Sequence, residues 1–296
     1  MSAVHVGLAL LVAVIWGVAF VATRIGLDSF SAPQLTAVRF LVASVPVLLF
    51  PRPRIGWAPF VAIGLALYTG QFLFQFFGIA SGMPPGLASV IVQTQAFFTV
   101  IFAALALREM PTRREISGVA AAAAGVLVIA VTLGRDTTLA SFLLTLTAAV
   151  SWGVGNVLIK RVGRVETLHL MIWLAIVPPL PALAVSVVLD GPLALVSAIG
   201  RASWPSIAAA IYLGLVATVL AYAVWGDLLR RYSAAMVAPF ALLVPFVGAA
   251  SSRVVFGERF GVVRLAGMAL VLAGLAIIVW RPRAIESSRE IAARPR

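Results

Sequence analysis

The chain is a near-continuous series of apolar stretches of about 20 residues, broken only by short clusters of Pro, Gly, Arg and Lys. A helix rising 1.5 Å per residue needs about that many residues to cross the ~30 Å hydrocarbon core of a bilayer. A water-soluble fold could not cover the surface such a chain would expose. Of its residues 62% are apolar and 11% charged, where soluble domains carry about 25% charged. The stretches are too long for strands and lack sustained alternation, and hydrocarbon admits only segments that satisfy their own backbone polar groups. The sequence therefore specifies an all-α membrane protein.

Breaks at Pro, Gly and charge clusters predict ten transmembrane helices, at 5–23, 32–50, 57–80, 84–107, 115–134, 139–159, 168–188, 205–226, 233–256 and 262–280. The first has no Lys or Arg before it and no clear small-residue cleavage site after it, so it is expected to remain as a span. Residues 281–296 are polar and are expected to form a disordered cytoplasmic tail. With the N-terminus inside, fifteen Lys and Arg fall in the inner loops and tail and six in the outer loops. Because positively charged short loops stay in the cytoplasm, both termini are expected on the inner side of the cell inner membrane.

Several chemistries are removed by composition. The chain has no Cys, and His5 and His169 lack a local carboxylate cluster, so neither a metal nor another cofactor is expected. The net charge of +12 is scattered in short pairs between apolar runs, which argues against a nucleic-acid partner and for loop charge beside membrane lipids. No Ser/His/Asp group and no paired carboxylates occur at membrane depth, so the chain is not expected to be an enzyme.

The sequence also repeats internally. Ala149-Val150-Ser151-Trp152-Gly153-Val154 echoes Ala13-Val14-Ile15-Trp16-Gly17-Val18 at an offset of 136 residues, and Glu109, Gly118 and Gly125 recur as Glu258, Gly267 and Gly274 at an offset of 149. Residues 5–134 (helices 1–5) and 139–280 (helices 6–10) are therefore read as two copies, with the extra residues expected around Asp190 to Trp204. An odd number of spans per copy inserts the second one upside down, giving two inverted five-helix repeats.

The motifs that carry this duplication are Trp16-Gly17, Arg39-Phe40, the segment GLASVIVQTQAFFTVIFAALALRE at 86–109, and its counterpart ending in Gly257-Glu258-Arg259. In their order they resemble the EamA branch of the drug/metabolite transporter superfamily over essentially all of residues 5–280. Gly82 to Thr99 and Trp152-Gly153-Val154-Gly155-Asn156 look most like exporters of O-acetylserine, cysteine and related amino acids, with aromatic amino-acid exporters next. The resemblance implies two inverted EamA repeats around a central cavity lined mainly by helices 1–4 and 6–9, with helices 5 and 10 peripheral, where homodimer contacts are expected. It implies a secondary transporter that exports amino acids or related small metabolites; the alternative is a multidrug or other metabolite carrier of the same superfamily.

A cavity that binds and releases a small zwitterion suits uncharged amides, hydroxyls and aromatic faces. Helix 3 puts Tyr68, Gln71 and Gln75 on one stripe, helix 8 does so with Thr218, Tyr222 and Trp225, and helix 6 pairs Trp152 with Asn156. Trp16 is the counterpart of Trp152 in the first copy. These groups either line the cavity or tie helices together. On helix 4, Gln93 and Gln95 are two residues apart, so only one is expected at the cavity, with Gln93 preferred.

Arg39 stands at membrane depth, where a charge costs at least about 2.5–3.5 kcal/mol unless it reaches water, carbonyls or a partner. It either snorkels to the outer surface or lines the cavity and meets a substrate carboxylate. All ten carboxylates fall at helix ends, in loops or in the tail. Without a mid-helix carboxylate to carry protons, facilitated export is expected, with antiport as the alternative. Gating is assigned to Glu109 and Glu258, with Arg113, Arg114 and Arg264 as salt-bridge partners, and to Pro239 and Pro245 as bending points of helix 9. Surface solvation and structural kinks are the competing uses of those residues.

Overall fold

A computed structural model describes residues 1–134, 137–163 and 165–279. The expected tail at 281–296 lies outside the described residues. Among them, nine helices are long and apolar enough to cross a membrane: α1 (Ala3–Gly26), α2 (Ala32–Leu49), α3 (Trp57–Ala80), α4 (Pro85–Leu107), α6 (Leu139–Val162), α7 (Leu168–Asp190), α8 (Trp204–Arg231), α9 (Met236–Phe256) and α10 (Val262–Val279). A further 18-residue helix, α5 (Arg113–Ala130), opens with Arg113, Arg114 and Glu115 and packs along α10.

Local chemistry sets the boundaries. Ser31 and Gln34 form a capping box at the start of α2, and Thr112 and Glu115 form one at the start of α5. Two helix ends are built alike. α4 stops at Arg108 (φ 56°) and α9 at Gly257 (φ 70°), both left-handed residues directly before Glu109 and Glu258. The same turn thus presents each carboxylate beyond its helix, on Gly in one case and at a steric cost on Arg in the other. The connection before α8 folds as a short helix, Ala194–Arg201, with no buried residue.

Glycine lets the helices close on one another. A Cβ on Gly118 would lie 2.8 Å from the Gly274 carbonyl oxygen, and one on Gly274 would lie 2.5 Å from that of Gly118; Gly125 and Gly267 meet the same way at 2.6 and 2.9 Å. The recurring glycines of the two copies therefore face each other, and α5 and α10 spend their small faces inside the chain. Between the same copies, Gly17 on α1 seats against Val247 and Gly248 on α9, while Gly153 on α6 seats against Phe98 and Thr99 on α4.

α3, α4 and α8 each carry an irregular turn in mid-helix, and α2 ends in a 3-10 stretch at Val45–Leu49. α3 carries a π segment at Leu65–Gly70 and α8 one at Tyr212–Leu220, and α4 tightens to a 3-10 turn at Val92–Thr94. The wide π turns free carbonyls for neighbouring helices. Ala66 O accepts from Ser151 Oγ at 2.7 Å, and Ala217 O accepts from Trp16 Nε1 at 3.0 Å. α9 is broken between Ala241 and Val244, with Pro239 inside its first part and Pro245 opening its second.

Candidate functional site

Helices α1, α2, α3, α4, α6, α8 and α9 surround a cavity of about 270 Å³, with the 3-10 turn of α4 and the break of α9 in its wall, just under the ~300–1,000 Å³ of small-molecule sites. Its wall contains Trp16, Arg39, Gln71, Phe72, Gln75, Gln93, Gln95, Trp152, Tyr222 and Trp225, and the break of α9 closes it with Ala241 and Val244. Eight of the ten residues selected from the sequence therefore meet here: Trp16, Arg39, Gln71, Gln75, Gln93, Trp152, Tyr222 and Trp225.

Tyr68 and Asn156 serve elsewhere. Tyr68 is fully buried, stacks on Phe40 at 5.0 Å and donates to the Met171 carbonyl at 3.2 Å, tying α3 to α2 and α7. Asn156 donates to Thr99 Oγ1 at 3.0 Å, where Gly153 lets α6 approach α4. Both are helix-to-helix contacts, the other use open to such groups.

The expectation that Gln93 and Gln95 cannot share a cavity is wrong. In an α-helix two residues apart means about 160° between side chains, but the tighter 3-10 turn at Val92–Thr94 brings this nearer to 120°. Both glutamines then reach the wall. Gln95 had no sequence signal separate from that turn.

Arg39 does not snorkel. It is 3% exposed, donates through Nε and Nη2 to Thr218 Oγ1 at 3.2 and 3.1 Å, and lays its guanidinium 3.8 Å from the centroid of the Phe72 ring. Thr218 can accept because its own hydroxyl donates to Leu213 O, five residues back on the π segment, at 2.8 Å. Among the described residues no carboxylate lies within ion-pair distance of Arg39. A cation held by one hydroxyl and an aromatic face keeps donors for an anionic ligand group.

Aromatic faces build much of the remaining wall. Trp16 packs against Tyr222 at 5.4 Å and Trp225 at 5.2 Å, and Trp152 against Phe72 at 6.5 Å. Its indole N–H is fixed by Ala217 O, so Trp16 offers the cavity a ring face with its polar edge already satisfied.

The two glutamates differ in their contacts. Glu109 Oε2 accepts from Lys160 Nζ at 2.7 Å, and the expected partners do not hold it; Arg114 donates to the Ile277 carbonyl. Glu258 Oε2 accepts from the Gly86 amide at 3.2 Å, while Arg264 donates to Thr132 Oγ1 and Thr132 O at 3.0 and 2.9 Å. Burial in this half-covered loop pushes the Glu258 carboxyl above its ordinary value of 4.5, against the lowering effect of the Gly86 amide.

Closure is unequal at the two ends of α4. Residues Pro85 to Val92 are all buried, with Gly86 and Ser89 pressed against Ala249 and Gly248 of α9. Beyond Phe97 the helix packs on α6 and is otherwise mostly part-exposed, and the first part of α9 makes most of its contacts with α1, α8 and α10, meeting α4 at the Gln93–Ala241 hydrogen bond.

Comparison with known proteins agrees with this architecture. A solved crystal structure superposes with a TM-score of 0.59 at 18% identity, covering 94% of this chain and 97% of that one. A protein of Salmonella typhimurium named "Probable amino-acid metabolite efflux pump" is 39% identical over 95% of this chain and 97% of its own length. Its namesake in Escherichia coli is 37% identical over 92% and 94%, and a "Probable terminal-alkyne amino-acid exporter" of Streptantibioticus cattleyicolor is 31% identical over 90% and 91%. The model of the EamA-like transporter family matches residues 4–131 and 139–280. With both halves matched, the chain belongs to the EamA-like transporter family and is a multi-pass protein of the inner membrane.

Proposed function

We propose that this protein is a secondary carrier that exports amino acids or closely related small metabolites from the cytoplasm through the central cavity. The observation that carries the reading is Arg39, a buried cation without a carboxylate partner among the described residues, set in a wall of amides and aromatic rings. Its guanidinium receives the substrate carboxylate, the aromatic faces receive the side chain, and the absence of a carboxylate from the described wall favours transport without proton coupling. Similarity to named amino-acid efflux pumps supports the same substrate class. Uptake and efflux of labelled amino acids in proteoliposomes, with and without a pH gradient, tests it. Saturable transport indifferent to the gradient is the expected result.

In this reading the chain has ten spans in two inverted repeats, α5 being the least apolar, with both termini cytoplasmic. Glu109 then lies on the inner face and Glu258 on the outer. The outer halves of α4 and α9 are closed and the inner halves apart, so the cavity belongs to a state facing the cytoplasm.

The repeat offsets give the gates a mechanism. Lys160 corresponds to Arg24, yet Lys160 holds Glu109 while Arg24 pairs with Asp28 and leaves Glu258 to the Gly86 amide. In the outward-facing state the pattern exchanges: Glu258 passes to Arg24, and Glu109 passes to the amide of Ala235, the counterpart of Gly86, with α9 bending at Pro239 and Pro245. A thiol pair checks this, since the chain has no cysteine. A Cβ at position 86 would lie 3.2 Å from Ser252 Cβ, so a small outward shift reaches the ~3.5–4.5 Å of a disulfide. Oxidised Gly86→Cys/Ser252→Cys protein is expected to stop transporting and to recover on reduction; unimpaired transport by the cross-linked protein contradicts the gate.

A further inference from the structure

We propose that Gln71 and Gln95 form an ammonium subsite, so that the cavity selects α-amino acids with a free, protonated amine. The inference rests on the carrier reading and adds the recognition of the second charge of the zwitterion. It starts from how the cavity amides are used. Gln71 Nε2 donates to Gln75 Oε1 at 2.6 Å, and Gln93 Nε2 donates to Ala241 O at 3.4 Å. One N–H of Gln71 and one of Gln93 are thus taken by acceptors of the protein itself. Two amide acceptors are left over: Gln71 Oε1 and Gln95 Oε1 are buried and have no hydrogen-bond partner, although both side chains belong to the cavity wall. Gln71 as a whole is only 2% exposed.

A buried carbonyl without a donor is costly, so it needs an explanation. A ligand ammonium supplies one, because it carries three N–H donors and needs acceptors. Two neutral oxygens, with the faces of Trp16, Trp152 and Trp225 nearby in the same wall, can hold such a cation. They also release it more readily than a carboxylate would, as a carrier requires. Arg39, whose guanidinium lies over the ring of Phe72 in the same wall, accounts for the carboxylate. The wall therefore presents a cation for one end of a zwitterion and orphaned acceptors for the other. Neutral acceptors also discriminate: an acylated nitrogen has lost its charge and all but one of its donors, and a deaminated acid has no donor there.

The experiment uses the full-length protein in proteoliposomes loaded with labelled methionine and measures inhibition by unlabelled methionine, N-acetylmethionine and 4-(methylthio)butanoate. Free methionine is expected to compete at least tenfold better than either analogue. Gln71→Leu and Gln95→Leu are each expected to raise KM for methionine about tenfold while leaving inhibition by 4-(methylthio)butanoate unchanged. Equal competition by all three compounds would overturn the subsite and leave the carrier standing. Absence of saturable transport of methionine and of every other amino acid tried would overturn the carrier reading and the subsite with it. The analogue series needs no variant to fold, so it decides the matter alone if the substituted proteins are unstable.

Discussion

Arg39 on α2 spends two guanidinium donors, Nε and Nη2, on the single hydroxyl of Thr218 on α8, at 3.2 and 3.1 Å. One helix from each half of the chain is thereby joined at the cavity wall, through a residue whose carbonyl partner, Leu213, exists only because α8 is locally a π-helix. Charge-assisted bonds of this kind contribute about 1.5–3 kcal/mol. Arg39→Gln, which keeps donors but removes the charge, is expected to lower kcat/KM for an amino acid by 10- to 100-fold with the protein still inserted and folded. Size-exclusion profiles and transport by the purified variant check both halves of that statement.

Thr218→Val separates positioning from charge. It leaves Arg39 cationic but removes its anchor, so the guanidinium is expected to lose orientation, raising KM more than it lowers kcat. Thr218→Ser, which keeps the hydroxyl, is expected to restore most of the affinity. Transport kinetics for the pair of variants make the comparison.

Nine of the expected spans and most of the wall were legible in the sequence because both depend on composition and on the 3.6-residue period. Apolar length fixed the helices to within a few residues, and the stripes of α3 and α8 brought Gln71, Gln75, Tyr222 and Trp225 to one cavity. What the period could not carry was its own local failure. The 3-10 turn at Val92–Thr94 rotated Gln95 into the wall, and no residue preference announced it. Tyr68 and Asn156 looked equivalent to their neighbours, yet partners on α7 and α4 claimed them. Lys160 was out of reach for the same reason: its pairing with Glu109 spans 51 positions of chain and follows from the packing of α6 on α4.

The reciprocal glycines give a stability test independent of transport. Gly125→Leu places carbon where the Gly267 carbonyl already stands at 2.6 Å from a Cβ, and overpacking of this kind costs about 1–3 kcal/mol. A clear fall in melting temperature in detergent is expected. Gly7→Ala, inside α1 with nothing within 4 Å of the new atom, is expected to hold or slightly raise the melting temperature.

Glu258 gives the pH dependence a sign. Its carboxyl is raised above 4.5 in the folded protein, so over the window from 4.5 up to the raised value the native state binds more protons than the unfolded one. Stability from this group is complete below 4.5 and is lost as pH rises through the folded value. Melting measured from acidic to neutral pH is expected to show that loss, and Glu258→Gln, neutral at every pH, is expected to flatten it.

The most direct test of the central claim is transport of labelled methionine and phenylalanine by the purified protein in proteoliposomes, beside Arg39→Gln. Saturable transport by the native chain, reduced at least tenfold in the folded variant, is the expected outcome. A native chain that is folded and inserted yet moves neither amino acid nor any other of a broad panel, or an Arg39→Gln variant that transports them fully, would contradict it.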